Sequence, residues 1–343
     1  MTPKAVVEAT FRFEDNGFVP YRIPICDDVH SRLDAHYGSA HWQDRMTQYF
    51  FGEHYVGQGR PEVLGGGLTR SPYGYVTRER LDHLEEPALN APKMDGYRWP
   101  VPENLADWDS LAERYQAAGG AFRLCGMAYG FFERGMKMRG MEHLLMDMIE
   151  HPQFVHDLFD GYQKLRLKLI DMIIDRIPVE GIFDGGDDCD QRGPMMGLGR
   201  WREFVKPRLK AVIDHVHAKG FPVVAHMCGN VRPLAGDLLE MGLDALESLQ
   251  PEAMDVYELK RFVQGKMVLI GGMGTQSTLP FGSPEEVRGE TRKLIEEMGR
   301  GGGYVVGPAK PVMEDVPLEN AVAFIETAVS QEQHTARPED SPD

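Results

Sequence analysis

Residues 221–230 read Phe-Pro-Val-Val-Ala-His-Met-Cys-Gly-Asn, an apolar run that ends in two side chains able to bind metal. Such a run is typical of a strand buried on both faces in a parallel sheet. Alternate residues of a strand project to the same face, so we expect the imidazole of His226 and the thiol of Cys228 to lie together at its carboxyl end. Zinc favours nitrogen and sulfur ligands, and a catalytic site uses three of them with one position open. The alternative is a hydrogen-bonded core histidine beside a small buried thiol.

Around this run, short apolar strands alternate with longer helical segments from residue 121 onward. The other predicted strands are 121–127, 181–184, 245–247, 267–271 and 303–306. The predicted helices are 136–148, 152–176, 200–219, 234–241, 256–263, 284–298 and 318–329. This alternation, with one or two more strands from the first 120 residues, predicts an α/β fold of the TIM (β/α)8 barrel type. A doubly wound sheet is the alternative, but no GxGxxG pattern follows a first strand.

The first part of the chain is aromatic-rich and irregular, and we expect residues 1–55 to form an N-terminal cap over a barrel at 56–333. Within the cap, residues 20–25 are predicted to be extended and residues 30–37 to form a helix closed by Gly38. Gly65-Gly66-Gly67 suits a turn or bulge, and residues 71–74 suit a hairpin turn. We expect one domain over 1–333 and a disordered polar tail over 334–343.

The composition is that of an acidic chain able to bury a large core. The 343 residues are 42% hydrophobic, and the formal net charge is −16 with no clustered basic segment. This charge argues against nucleic acid and anionic membranes, so we expect a small molecule or another protein as the partner. No apolar run reaches roughly 18 residues, and the first residues lack a signal-peptide pattern, so we expect a cytoplasmic protein.

Cysteine spacing gives no disulfide framework. Cys26, Cys125, Cys189 and Cys228 lie far apart and form no CxxC pair. We therefore expect four free thiols, of which Cys228 is placed for chemistry.

Polar residues follow several of the predicted strands, and a barrel gathers such residues at one mouth, where barrel enzymes carry their active sites. They are Asp187, Asp188, Cys189, His226, Cys228, Asn230, Glu247, Gln250, Thr275, Gln276 and Lys310. Glu247 interrupts an apolar strand, where an unpartnered buried carboxylate costs several kcal/mol. We expect Glu247 to be a third zinc ligand with His226 and Cys228. The alternative is that it pairs with an arginine or with backbone N–H groups.

Asp187, Asp188 and Lys310 are the candidate catalytic residues of this mouth. The adjacent carboxylates suit acid–base work or the binding of a substrate amine, and a simple turn is the alternative. Lys310 either binds an anionic substrate group or is solvated.

Short motifs follow one another in a characteristic order along residues 130–325. They are Gly130-Phe131-Phe132-Glu133, Arg139-Gly140, Asp187-Asp188-x-x-Gln191-x-Gly193-Pro194, Trp201-Arg202-Glu203-Phe204-Val205-Lys206-Pro207, His226-x-Cys228-Gly229, Leu249-Gln250-Pro251, Gly271-Gly272-Met273-Gly274-Thr275-Gln276, Gly302-Gly303-Tyr304 and Asp315-Val316-Pro317-x-Glu319-Asn320. In order and spacing they resemble the uroporphyrinogen decarboxylase superfamily, and within it the cobalamin-linked methyltransferases. The resemblance implies a TIM barrel.

The same resemblance implies a ligand set for zinc. The corrinoid:coenzyme M methyltransferases of this superfamily hold zinc with a His-x-Cys pair, which His226 and Cys228 match, and with a later Cys. Residues 305–311 contain no Cys, and Lys310 or its neighbour stands in that place. Cobalamin-independent methionine synthase is similar in having a Glu from the next strand, which Glu247 matches. The implied cofactors are Zn²⁺ and a corrinoid.

These observations predict a zinc-dependent methyltransferase that moves a methyl group between a corrinoid and a small thiol or methylated donor. The chain lacks the Asp-x-His-x-x-Gly cobalamin signature, so the corrinoid is expected on a partner protein or as free cobalamin. The alternatives are a decarboxylase of a non-porphyrin carboxylate and a non-catalytic barrel that binds a corrinoid or a metal. A homodimer is suggested by the resemblance alone. The candidate substrate contacts are Tyr21, Arg22, Gln191, Asn230, Gln250 and Gln276.

Overall fold

The computed structural model of the protein describes residues 1–14, 16–52, 55–78 and 83–335. Its strands are β1 (Phe50–Phe51), β2 (Tyr55–Val56), β3 (Glu62–Gly65), β4 (Leu68–Arg70), β5 (Val76–Arg78), β6 (His83–Glu86), β7 (Phe122–Met127), β8 (Gly181–Gly185), β9 (Cys189–Asp190), β10 (Gly193–Pro194), β11 (Val223–His226), β12 (Ala245–Leu249), β13 (Val268–Met273) and β14 (Tyr304–Pro308). Its α-helices are α1 (Pro3–Phe11), α2 (Asp27–Tyr37), α3 (Trp108–Ala117), α4 (Phe131–Arg139), α5 (Met141–Glu150), α6 (Pro152–Arg176), α7 (Leu198–Arg200), α8 (Lys206–His217), α9 (Ala235–Met241), α10 (Val256–Val263), α11 (Thr278–Phe281), α12 (Pro284–Lys293) and α13 (Leu318–Thr335).

A parallel sheet forms the centre of the molecule and curves into a (β/α)8 barrel. Its strand order is β1, β7, β8, β11, β12, β13, β14, every pair is parallel, and β2 continues the line of β1 along β7. Parallel neighbours need crossover connections, which the intervening helices supply. The sequence prediction of the barrel is confirmed.

The eighth position of the barrel is taken by residues 20–25, which lie beside β14. Tyr21 pairs with Val306 and Ile25 with Val312, both in parallel. Among the described residues no ladder joins this segment to β1 or β2. Side chains fill the seam instead: the rings of Tyr21 and Tyr49 pack edge to face at 5.1 Å.

Two segments inside the range predicted as a cap are therefore barrel strands, namely residues 20–25 and β1. Outside the barrel, β3 to β6 form an antiparallel sheet, with Gly65-Gly66-Gly67 in the turn between β3 and β4. The predicted turn at 71–74 is confirmed, since Ser71 N–H donates to the carbonyl of Tyr75 and joins β4 to β5.

The main correction concerns the helix predicted at 136–148. The chain forms two helices there, α4 and α5, because Gly140 has a φ of +85° and ends α4. Glycine adopts this conformation without the steric penalty that a side chain would bring. The apolar periodicity continues across the break, which is why the pattern alone did not reveal it.

Three further expectations concern the cysteines, the C-terminal tail and membrane-spanning helices. The four cysteines are free, as predicted. Residues 336–343 of the predicted tail lie outside the described residues, and residues 334 and 335 end α13. In the described ranges, no helix has both the length and the apolar character that a membrane crossing requires.

Candidate metal centre

Three side chains meet at the carboxyl ends of β8 and β11: Asp187, His226 and Cys228. Their ligand atoms all lie within 4.8 Å of one another. His226 Nε2 is 3.5 Å from Asp187 Oδ1, and the Cys228 thiol donates to the same oxygen at 3.0 Å. In the part of the chain that the structure describes, this is the one such group of three potential ligands. We call it the DHC cluster.

The backbone brings the two loops of the DHC cluster together. His226 lies opposite Gly185 in the sheet, so the loop after β8 starts beside the end of β11. Gly229 follows the cysteine with a φ of +83°, and a Cβ there would lie 2.4 Å from the carbonyl oxygen of Asp190. Only glycine permits this approach without strain, so Gly229 is what allows Cys228 to reach Asp187.

Glu247 lies on the other side of the imidazole. It is the neighbour of His226 in the sheet, and a register shift follows it, with Ser248 at a φ of +78°. Its Oε1 is paired with Arg22, while Oε2 is buried without a hydrogen bond, 3.9 Å from His226 Nδ1. The structure contains the arginine pairing that the sequence left as the alternative, and the third member of the cluster is Asp187.

Electrostatics in this region favour a charged imidazole when no metal is present. Burial opposes the charge on His226, but contacts with Cys228, Glu247 and Asp187 outweigh it and raise the pKa to about 10. Burial alone would raise the pKa of Glu247, but the positive charges of Arg22 and His226 lower it by more, so the net shift of this pKa is downward. The imidazole thus lies between two carboxylates, one at each ring nitrogen.

Asp188 lies in a different environment from Asp187. It is 2% exposed, its Oδ2 accepts a 2.8 Å hydrogen bond from Trp201 Nε1, and its Oδ1 is buried without a partner. Burial, together with the negative charges of Glu133 and Asp187, outweighs the hydrogen bond from Trp201 and raises the pKa of Asp188 to about 7.

A pocket of about 200 Å³ opens onto the cluster, and we call it the mouth pocket. It is lined by Gln58, Ala128, Tyr129, Glu133, Phe183, Gly185, Gly186, Asp187 and His226. Gly130 allows the loops after β7 and β8 to touch, because a Cβ there would lie 2.7 Å from the Cα of Gly186.

Tyr129 has a backbone conformation that is rare for a non-glycine residue, with a φ of +56°. Its carbonyl oxygen accepts hydrogen bonds from Tyr162 and from Arg166, and Arg166 is also paired with Asp184. Sequence reasoning missed Tyr129 and Glu133 as site residues, although both follow the end of a predicted strand. Arg166 sits mid-helix and gives no comparable signal.

The remaining predicted site residues are dispersed. Gln250 is buried and accepts from the N–H of Gly229 at 3.1 Å, so it supports the Cys228 loop, and Asn230 accepts from the N–H of Arg232. Gln191 and Gln276 hydrogen-bond to each other, and Lys310 is exposed. Tyr21 and Arg22 line a separate pocket of about 500 Å³ at the barrel seam.

Comparison with known proteins identifies the family of this chain. Residues 83–331, which include the whole DHC cluster, match the family described as uroporphyrinogen decarboxylase (URO-D). The chain belongs to this family. Its fold is shared with a structure described as a methyltransferase from Methanosarcina mazei, with a TM-score of 0.72 at 16% identity over 98% of this chain and 100% of that one.

Curated relatives of this URO-D family protein match it over shorter stretches. It is 26% identical over 138 residues to the methylated-thiol–coenzyme M methyltransferase of Methanosarcina mazei, which is 40% of this chain and 35% of that protein. It is 26% identical over 131 residues to the methylcobamide:CoM methyltransferase MtaA of Methanosarcina barkeri, 38% and 36% of the two chains. A uroporphyrinogen decarboxylase of Shewanella loihica is 27% identical over 142 residues, 40% and 39%. The matches thus span little more than a third of these relatives.

Proposed function

We propose that this URO-D family protein is a zinc-dependent methyltransferase that moves a methyl group between a corrinoid and a small thiol. The observation that carries the proposal is the DHC cluster, three potential zinc ligands at the carboxyl ends of barrel strands. Two methyltransferases among the relatives are named for coenzyme M, and one of them for methylcobamide, which agrees with this assignment.

The donor set fits zinc, with one carboxylate oxygen, one imidazole nitrogen and one thiol sulfur. In this proposal Asp187, His226 and Cys228 hold the ion, and the fourth position is left for substrate. A zinc ion bound there stabilises a deprotonated thiol and so supplies a stronger nucleophile at neutral pH. Glu247 then takes the role of orienting His226 through Nδ1, as carboxylates commonly do for metal-bound histidines.

The surrounding residues hold the ligands in place. Arg22 neutralises Glu247 and keeps its free oxygen facing the imidazole. Gln250 fixes the N–H of Gly229, and the carbonyl of Asp190 accepts from the N–H of Asn230 at 2.8 Å, so the loop that carries Cys228 is anchored at two points. In this view Gln250 and Asn230 support the ligands rather than bind substrate.

The sequence offers no corrinoid-binding signature, so in this proposal the corrinoid is a second substrate, delivered by a partner protein or free in solution. A decarboxylase would need a cation, such as Arg22 or Lys310, to hold its substrate carboxylate. Arg22 is paired with Glu247. Lys310 is exposed, and neither of these two cations lines the pocket beside the DHC cluster. Their positions favour methyl transfer, while the family name and one relative point to decarboxylation.

The test begins with elemental analysis of untagged wild-type protein and of Cys228→Ser. We expect about one zinc per chain in the wild type and little in the variant. The wild type is then supplied with methylcobalamin and a panel of small thiols, and demethylation of the corrinoid is followed by its absorbance. A well-folded wild type that takes up no zinc contradicts the proposal, and zinc binding without any methyl transfer favours the non-catalytic alternative.

A further inference from the structure

The mouth pocket lies directly beside the DHC cluster, so the part of a substrate that does not touch the metal ligands must lie there. Apart from Asp187 and His226, its lining is uncharged except for one residue, Glu133. Among the described residues that line it, there is no lysine and no arginine. Apart from the proposed metal ligands, the charge that this pocket offers to a substrate is therefore negative.

Several basic side chains lie near the pocket without lining it. One of them is Lys137, whose Nζ lies 5.8 Å from the ring centre of Tyr129. Arg22 is paired with Glu247, and Arg166 is paired with Asp184. Arg134 is buried, donates to the carbonyl of Gly57 at 3.2 Å and lies against the rings of tyrosines. None of these cations lines the pocket, so Glu133 is the charged lining residue besides Asp187 and His226.

Glu133 is not the sole carboxylate among the described residues that line the mouth pocket. Asp187 lines the same pocket. An anionic substrate group in this pocket would face this set of carboxylates, whereas a cationic group would be attracted to them. In a partly buried site one such charge contact changes affinity by about 10-fold or more.

We infer that the thiol this site takes is an aminothiol, bound with its sulfur at the DHC cluster and its ammonium group against Glu133 in the mouth pocket. This inference rests on the proposed function and specifies its substrate class. A volume of about 200 Å³ suits a short aminothiol of a few carbon atoms.

The test uses cobalt(II) in place of zinc, because a thiolate that binds cobalt gives a charge-transfer absorption that reports binding without turnover. Cobalt-loaded protein at pH 7 is titrated with cysteamine, 2-mercaptoethanol and 2-mercaptoethanesulfonate, which share a two-carbon chain and differ in terminal charge. We expect cysteamine to bind at least ~10-fold more tightly than the sulfonate. In Glu133→Gln we expect the ratio of the two dissociation constants to shrink by about 10-fold, and comparing ratios cancels the different acidities of the thiols.

The variant preserves the backbone contact of the native residue. Glu133 accepts from the N–H of Gly130 at 3.0 Å, and the amide oxygen of glutamine accepts the same bond. Glu142→Gln, which changes an exposed carboxylate on α5, is the matched control and should keep the wild-type ratio.

The possible outcomes separate the aminothiol inference from the proposed function. Equal ratios in wild type and Glu133→Gln, or tighter binding of the sulfonate to the wild type, overturn the aminothiol inference while the proposed function stands. Cobalt uptake with no absorption change for any of the three thiols overturns thiol methylation and the inference with it. Failure to bind cobalt at all overturns the metal centre itself.

Discussion

Asp187 and Glu247 are two carboxylates that flank one imidazole, and their surroundings differ. Asp187 has a side chain 38% exposed and contacts Nε2 of His226 and the thiol of Cys228. Glu247 is 12% exposed, contacts Nδ1 and is paired with Arg22. Within the described residues, Asp187 forms no ion pair with a lysine or arginine, so its oxygens are available to a metal ion.

The partner of each of these carboxylates, more than its position on a strand, determines whether its oxygens are available to a metal ion. Glu247 sits on a strand beside His226 and looks like a ligand in the sequence, but Arg22 satisfies its charge. Asp187 sits in a loop and was predicted to be catalytic, with a turn as the alternative, and it completes the DHC cluster.

The largest effect is expected from Asp187→Asn. The change removes a ligand charge, so we expect zinc affinity to fall by more than the roughly 10- to 100-fold typical of residues that only orient a ligand. Competition with a chromophoric chelator measures it. Asp190→Asn is the control on the same loop, since an amide oxygen can still accept from the N–H of Arg192. Wild-type affinity in Asp187→Asn would exclude this residue as a ligand.

Gly229→Ala should destabilise the loop that brings the thiol to Asp187. The new Cβ meets the Asp190 carbonyl at 2.4 Å in a backbone conformation that disfavours alanine, so we expect a loss of about 2–4 kcal/mol in the free energy of unfolding. Urea denaturation measures it. Gly236→Ala in α9 is the control, because nothing lies within 4 Å of its Cβ and alanine favours helix. Equal losses in both variants would show that the close approach is not needed.

Glu247→Gln should have a smaller effect on the metal. The amide still faces the imidazole but orients it less strongly, so we expect about 10- to 100-fold weaker zinc binding with full occupancy at saturating metal. Isothermal titration calorimetry with zinc gives both the dissociation constant and the number of zinc ions bound per chain. Glu85→Gln, which removes the exposed partner of Arg78, is the control and should leave zinc binding unchanged. Loss of all zinc in Glu247→Gln would instead make Glu247 a ligand, as the sequence suggested.

The barrel was predictable because its signals are local. Each barrel strand from residue 121 onward is a short, largely apolar run, and the helices 152–176 and 256–263 were predicted with the bounds that α6 and α10 have. The barrel segments of the first 56 residues, which are residues 20–25 and β1 with β2, were not predicted to be strands. Residues 20–25 join the sheet through two isolated bridges, which no sequence period reveals.

The candidate site was predictable only in part. His226 and Cys228 come from one strand, so their proximity follows from the period of a strand. The pairing of Arg22 with Glu247 joins residues 225 positions apart, and the choice between Asp187 and Glu247 depends on it. Tyr129 and Glu133 become visible as pocket residues only when the loops after β7 and β8 are placed side by side.

The smallest effect is expected from Lys310→Ala. Lys310 follows β14 and was predicted to be catalytic, but its side chain is exposed, and the neighbouring Ala309 is held by its backbone to Met273 and Ser248. We expect a change within about 0.5 kcal/mol in unfolding free energy and unchanged zinc affinity, like the exposed control Lys210→Ala. Anionic-thiol binding is the sensitive measurement. A selective loss of anionic-thiol affinity in Lys310→Ala would show that Lys310 binds the substrate. The charge of the mouth would then depend on this lysine as well as on Asp187 and Glu247.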